Sequence, residues 1–159
     1  MTPAQTQARS AGLLLYRDGA GWREVLLVHP GGPFWARRDA GSWSIPKGVY
    51  GDDEQPLAAA RREFEEELGV APPEGELFDL GEIKQRGGKK VRAWALVGDL
   101  DVSVTKSNTF AVEWPPRSGQ FRQFPEVDRA EWFAFEVARE KINPAQAELI
   151  DRLEAALDS

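Results

Sequence analysis

The sequence contains no cysteine and a single histidine, His29, among its 159 residues. Without thiols there is no disulfide framework, no thiolate metal site and no cysteine nucleophile. One imidazole excludes a histidine-rich metal centre and argues against a Ser-His catalytic pair. Long hydrophobic runs are also missing, since no stretch approaches the ~18 apolar residues of a membrane span. The polar start, MTPAQTQARSAG, has no apolar centre of the kind a signal peptide carries. These absences predict a soluble cytoplasmic protein with no membrane partner. A single domain over residues 1–159 is expected, long enough to bury a core without cross-links. With 42% hydrophobic and 29% charged residues, the composition is that of a globular chain, not a disordered one.

Positive charge is the scarcer sign, with 20 Lys+Arg against 26 Asp+Glu and a net charge of -6. The imbalance is local. Between Gly48 and Val70 there are seven acids and two bases, net -5, which is close to the whole chain's excess. From Lys84 to Arg92 there are five bases and no acid. Such a pair of clusters suits a mutual salt-bridge face, or a cation site that carries a polyanionic ligand. A net-acidic chain with one short basic hairpin is not built to hold long nucleic acid.

Apolar runs at Gly12–Tyr16 and Val25–Val28, separated by Asp18-Gly19-Ala20-Gly21, predict a two-stranded hairpin. Pro30 to Gly41 reads as a loop with Phe34 and Trp35 at its centre. Trp43 to Ile45 reads as a short strand stopped by Pro46. Gln55 to Leu68 is the clearest helix, with Pro56 in its first turn, Gly69 after its end, and Leu57, Ala60, Phe64 and Leu68 as its buried stripe. Leu77–Gln85 and Lys90–Val97 predict a second hairpin around residues 86–89. Thr109–Trp114 and Ala130–Phe135 predict further strands. A C-terminal helix is expected over Pro144–Leu157, capped by Asn143. The order of strands, helix, strands, helix predicts one α+β domain.

On the first helix Glu63, Glu66 and Glu67 fall at i, i+3 and i+4 and share one face. Like charges at that spacing repel, and the negative end of the helix dipole adds to the repulsion. Clustered carboxylate oxygens suit a hard divalent cation, and Mg²⁺ commonly shares such ligands with substrate phosphates. The plainer alternative is a solvated acidic face.

The surrounding string decides between them. Gly48 to Val70 resembles the Nudix box, G-x5-E-x7-R-E-U-x-E-E-x-G-U with U apolar, and agrees at every specified position. The resemblance covers most of the chain and implies the Nudix fold, an α/β/α sandwich around a mixed β-sheet. It implies hydrolysis of a nucleoside diphosphate linked to another group, by water attack on phosphorus. By the same resemblance Glu63, Glu66 and Glu67 are metal-binding carboxylates for Mg²⁺, with Mn²⁺ as a substitute. Gly48 would contribute its backbone carbonyl, and Glu63 or Glu66 is a candidate base. Arg62 would orient the glutamates by pairing with Glu54.

Trp43-Ser44-Ile45-Pro46-Lys47-Gly48 resembles the W-x-P-P-K-G lead-in of asymmetric dinucleoside tetraphosphate hydrolases, with Ile45 replacing the first proline. Glu126, six residues before Trp132, has the spacing of a further catalytic or metal-binding glutamate in those enzymes, and Glu113 is its rival. Lysines beside a phosphoanhydride stabilise its charge, and Lys47, Lys84, Lys89 and Lys90 are the candidates. Loop aromatics stack nucleobases, and Phe34, Trp35 and Tyr50 are placed for it. His29, ending a strand, reads as a hydrogen-bonded structural residue.

The expected activity is Mg²⁺-dependent hydrolysis of a phosphoanhydride in a nucleotide derivative, with a dinucleoside polyphosphate favoured. Single nucleoside triphosphates, damaged ones included, are the alternative. A nucleotide-binding sensor without turnover is the reading from another class. The sequence leaves the oligomeric state open.

Overall fold

The computed structural model describes residues 8–159, so the polar start from Met1 to Gln7 lies outside the described residues. Two uninterrupted apolar runs explain its centre. Strand β1 (Arg9–Gly19) and strand β2 (Trp22–Pro30) pair antiparallel around the Gly19–Trp22 turn. Alternate residues go to opposite faces, and both faces are covered. Leu13, Leu15, Leu26 and Val28 enter one core, while Leu14, Tyr16, Val25 and Leu27 enter the other. A strand buried on both sides has no polar face to show, hence its continuous hydrophobicity.

Three further elements join this pair at the site. Strand β3 (Lys47–Val49) pairs antiparallel with Ser10–Gly12 of β1. Helix α1 (Pro56–Leu68) then buries Ala59, Ala60, Phe64 and Leu68 against the Leu13–Leu15 face. Gly69 ends the helix in the left-handed conformation, φ 74°, with its N–H bonded to the Glu65 carbonyl. Strands β4 (Leu77–Lys84) and β5 (Lys90–Val97) form the basic hairpin, and β5 runs parallel to β1.

Strands β6 (Thr109–Glu113) and β7 (Phe121–Pro125) make a separate two-stranded arm, and β8 (Val127–Ala134) returns to pair with β2. The main sheet runs β4-β5-β1-β2-β8, with β3 on β1. Helices α2 (Phe135–Lys141) and α3 (Ala147–Asp158) cover the second face through Ala138, Leu149, Ile150 and Leu153. The result is an α/β/α sandwich around a mixed sheet, as the sequence implied. No helix of the described residues is long and apolar enough to cross a membrane.

Local departures have local reasons. Trp43–Ile45 forms no strand, only bridges from Ser44 to Val28 and from Trp43 to Ile142. Pro46 has no N–H to extend a ladder, so the strand begins after it, at Lys47. Leu57 is half-buried, and Ala59 takes its place in the stripe. Strand β7 and helix α2 go beyond the elements the sequence pattern predicts. FRQFP is mostly exposed and is ordered by pairing with β6, while seven residues of α2 are too few to show a period. Ala130–Phe135 belongs to a longer strand, and Phe135 already opens α2. The C-terminal helix starts at Ala147, after a single 3-10 turn at Pro144–Gln146 in which Asn143 Oδ1 accepts from the Ala145 N–H, 2.9 Å.

Candidate active site

The site forms where β3, the outer face of α1 and the Pro30–Gly31 turn meet the start of β8. Helical spacing puts Glu63 and Glu67 one turn apart on the side facing β3, with Glu66 more exposed beside them. Gly48 faces Glu63. A Cβ at Gly48 would overlap the Glu63 carboxyl group, so only glycine lets the β3 backbone approach this closely.

Arg62 organises the rim. Its Nε and Nη2 donate to the two Glu54 carboxylate oxygens at 2.9 Å each, a bidentate fork. Its Nη1 donates to Glu63 Oε1 at 2.8 Å and to Glu66 Oε1 at 3.2 Å. The fork holds the Glu54 carboxyl below the usual carboxylate range and raises the guanidinium above its ordinary value. The expected pairing of Arg62 with Glu54 is present, and the same guanidinium also reaches Glu63 and Glu66.

The floor is different. A pocket of about 190 Å³ is lined by Lys47, Glu67 and Glu126 with Val28, Pro30, Ser44, Ile45 and Val127. That volume suits phosphate groups better than a whole ligand, for which clefts of roughly 300–1,000 Å³ are usual. Burial pushes the Glu67 carboxyl up to about 8, the neighbouring Glu63 charge adding to it and Lys47 opposing it. Burial likewise raises Glu63, helped by Glu66 and Glu126 and opposed by its bond to Arg62. Lys47 is lowered, chiefly by burial, with the charge of Lys89 acting in the same direction. The floor therefore carries carboxylates that resist ionisation and an amine that resists protonation.

Glu126 is held from both sides: its N–H donates to the Asn108 carbonyl and its carbonyl accepts from Gly31, 2.9 Å each. Glu113 lies elsewhere, its Oε1 accepting from the Arg117 N–H at the arm's turn, 3.1 Å. Of these two rivals, Glu126 lines the pocket. Lys89 sits on the adjacent hairpin turn, and Lys84 and Lys90 stand opposite each other at its base. Trp35 and Phe34 are exposed on the loop above, Phe34 meeting Trp114 of the arm edge-on with centroids 5.8 Å apart. Tyr50 is not in the pocket. Its ring lies under the Arg9 guanidinium at 5.3 Å and packs on the α1 core.

His29 is fully buried, Nδ1 2.7 Å from Asp128 Oδ1 and Nε2 2.6 Å from the Arg38 carbonyl. It anchors the Phe34–Trp35 loop to β8. Sequence reasoning missed Gln146, also buried, whose amide reaches Ser44, Ile45 and Gln85. No local signal marks it, because its partners are 61 to 102 residues away.

The donors around Glu63, Glu66, Glu67 and Gly48 are all oxygen, which is the chemistry of a hard divalent cation. As placed, Arg62 holds Glu63 and Glu66, and among the described residues no three His, Asp or Glu side chains gather around one point. A larger groove of about 850 Å³ lies at the other end of β1, by Arg17, Trp22 and Arg23. Both of its arginines are already paired with acids, Arg17 with Glu24 and Arg23 with Asp158, and it has no lysine to meet a phosphate.

Among curated proteins the chain is 41% identical over 80 residues to an RNA pyrophosphohydrolase of Hahella chejuensis, covering 48% of this chain and 48% of that protein. It is 43% identical over 55 residues to an RNA pyrophosphohydrolase of Xanthomonas campestris pv. campestris, covering 34% of this chain and 27% of that one. The matched stretch thus spans about half or less of these relatives' length. Its fold is shared with an Ap4A hydrolase of C. elegans in a binary complex, TM-score 0.65 at 23% identity over 95% of this chain and 98% of that chain. It is shared too with the NUDIX domain of Shewanella oneidensis NrtR complexed with ADP ribose, TM-score 0.64 at 17% identity over 99% and 94%. The family model described as the NUDIX domain matches residues 6–153. With that model spanning the helix, the sheet and both carboxylate sets, the chain belongs to the NUDIX domain family.

Proposed function

We propose that the chain hydrolyses a phosphoanhydride bond in a nucleotide derivative, with Glu63, Glu66, Glu67 and the Gly48 carbonyl holding Mg²⁺, or Mn²⁺ in its place. The observation that carries this reading is the floor pocket. Glu67, pushed up to about 8, stands there beside Glu63, Lys47 and Glu126 in a space of phosphate size. A carboxyl held in its protonated form by burial, beside a lysine in a space of phosphate size, is one that an arriving cation would stabilise.

When bound, the cation neutralises phosphate oxygens and acidifies a water. The chain's own residues supply the rest. Glu63 and Glu66, now bonded to Arg62, would hold the cation, and the fork to Glu54 would keep the guanidinium in place beside them. Lys47 and Lys89 bind the phosphate chain, and exclusion of water around Lys47 strengthens each contact. Glu126 accepts the proton of the attacking water as its oxygen bonds to phosphorus, and the bridging oxygen leaves with the far phosphate. Trp35 and Phe34 offer faces for a base.

A dinucleoside polyphosphate is the favoured substrate, because the basic turn at Lys84–Lys90 can follow a phosphate chain longer than three. One observation favours a second reading, a phosphoanhydride carried by RNA, and the curated relatives bear the name RNA pyrophosphohydrolase. Arg37, Arg38, Arg117 and Arg122, around the exposed Phe34, Trp35 and Phe121, make no ion pair among the described residues. Most other arginines do.

The test is a turnover screen with Mg²⁺ over dinucleoside polyphosphates, nucleotide sugars, nucleoside triphosphates and triphosphorylated oligoribonucleotides. Release of phosphate or mononucleotide is followed, and Glu67→Gln serves as control. Turnover of a dinucleoside tetraphosphate to triphosphate plus monophosphate is the expected result. Tight nucleotide binding without turnover of any substrate would make the chain a sensor instead.

A further inference from the structure

Gln146 is 1% exposed, and its side-chain amide makes a bond with each of its hydrogens and with its oxygen. Its position explains why. The segment after Trp43 follows the C-terminal chain, with the Trp43 N–H bonded to the Lys141 carbonyl and the Asn143 N–H to the Trp43 carbonyl. That pairing stops after Asn143, because the chain turns away at Pro144–Gln146 and the Asn143 carbonyl accepts from the Gln146 N–H at 2.8 Å. The Ile45 N–H would then be buried without a partner, a costly state for a backbone donor. Gln146 Oε1 accepts from it at 3.1 Å and takes the place of the missing peptide.

The other end of the amide reaches further. Gln146 Nε2 donates to Ser44 Oγ at 3.1 Å and to Gln85 Oε1 at 2.9 Å. Gln85 opens the turn of the basic hairpin: its N–H donates to the Lys89 carbonyl at 2.6 Å, and its carbonyl accepts from Gly88 at 3.1 Å. One buried amide thus joins the peptide two residues before Lys47 to the residue that closes the Lys89 turn. The main sheet does not make this link at that point, because Ser44–Ile45 lies outside every strand. Lys89 itself is exposed and makes no ion pair among the described residues, and its turn is held by Gln85 on one side and by the Lys90 N–H to the Ala8 carbonyl, 3.2 Å, on the other.

We propose that Gln146 is a positioning residue which, through Gln85 and Ile45, sets Lys47 and Lys89 at the spacing that grips the substrate's phosphates. The inference rests on the phosphoanhydride reading above. Gln146 touches no substrate, and its effect is expected in binding, not in the chemical step.

The experiment compares Gln146→Leu and Gln85→Leu, each in the parent and in a Lys89→Ala background, with folding checked by circular dichroism and Tm. Gln85 is only half-buried, so its variant breaks the link without opening the core. Expected for both is a KM raised at least about fivefold with kcat within about twofold, the pattern of lost uniform binding. In the Lys89→Ala background Gln85→Leu raises KM no further, because the lysine it positions is gone, and Gln146→Leu keeps only the smaller increase it exerts through Ile45 on Lys47. The same comparison is read from the Kd of inorganic triphosphate by calorimetry, which needs no turnover. Failure of the hydrolase reading therefore shows as absent turnover with this coupling intact. The inference is overturned if Gln85→Leu binds like the parent. It is also overturned if the KM or Kd increases are as large without Lys89 as with it, or if inorganic triphosphate does not bind the parent.

Discussion

The rim and the floor of the site use the same residue types to opposite effect. At the rim Arg62 forks onto Glu54 in contact with water, the carboxyl is held down, and both charges are satisfied. On the floor Glu67 and Lys47 are drawn out of water, the carboxyl rises to about 8 and the ammonium falls. The difference is not proximity of opposite charge, which both regions have. It lies in whether each charge keeps hydration or a bidentate partner to replace it. A satisfied pair keeps its side chains in place, and on the proposed reading the desolvated one is where a cation and phosphate would be bound.

The largest break in this contrast comes from removing charge where the cation would sit. Glu66→Gln or Glu67→Gln should leave the fold intact and lower turnover at least about a hundredfold, about 2.7 kcal/mol on the barrier. Near-parental rates in both variants at saturating Mg²⁺ would remove the metal assignment.

Next in size is a pH effect confined to the floor. The Glu67 pKa of about 8 in the fold lies above its unfolded value of about 4.3, so between those values the native state holds a proton the unfolded chain has released. In chelator-treated protein the stability this proton supports is fully present below about pH 4 and lost as pH rises through about 8, a change on the order of a few kcal/mol. Glu67→Gln should flatten the urea-unfolding profile across that window, and Glu54→Gln should not. Saturating divalent cation should flatten it as well, with proton release measurable by calorimetry in two buffers.

Smaller effects separate fit from charge. Gly48→Ala should cost roughly tenfold in kcat with little change in Tm, because the flexible Glu63 carboxyl can move away from a Cβ but only by leaving its place. Arg62→Lys keeps the charge and loses the fork, for a similar or slightly smaller fall of about five- to tenfold. If it is as active as the parent, the rim is decoration. Trp35→Ala should weaken substrate binding by about 1 kcal/mol, the low end for one stacked base, since Arg38 already lies over that ring at 5.6 Å. An unchanged KM for every nucleotide would place the base elsewhere.

The acidic row, its arginine and the cap at Gly69 are legible in the amino-acid sequence because all lie within one helix and its flanks, where a period of 3.6 residues sets geometry. The two central strands are legible because strands buried on both faces have only apolar residues to show. Strand β7 and helix α2 are not, since each is short and owes its form to a neighbour. Glu113 and Glu126 are equal candidates as letters. Only the arm, which carries Glu113 away and returns the chain to Gly31 and Asn108, puts Glu126 against the pocket.

The sequence by itself determined which residues carry charge on one helical face and which strands lie at the centre, because both are periodic properties of adjacent residues. Tertiary structure alone decided that Glu66 stays wet while Glu67 is drawn from water, although they are neighbours of identical chemistry. It alone brought Lys47 to face Glu67, and Gln146 across about a hundred residues to Ile45. Desolvation depends on every segment that closes over a group, and no local spacing encodes that.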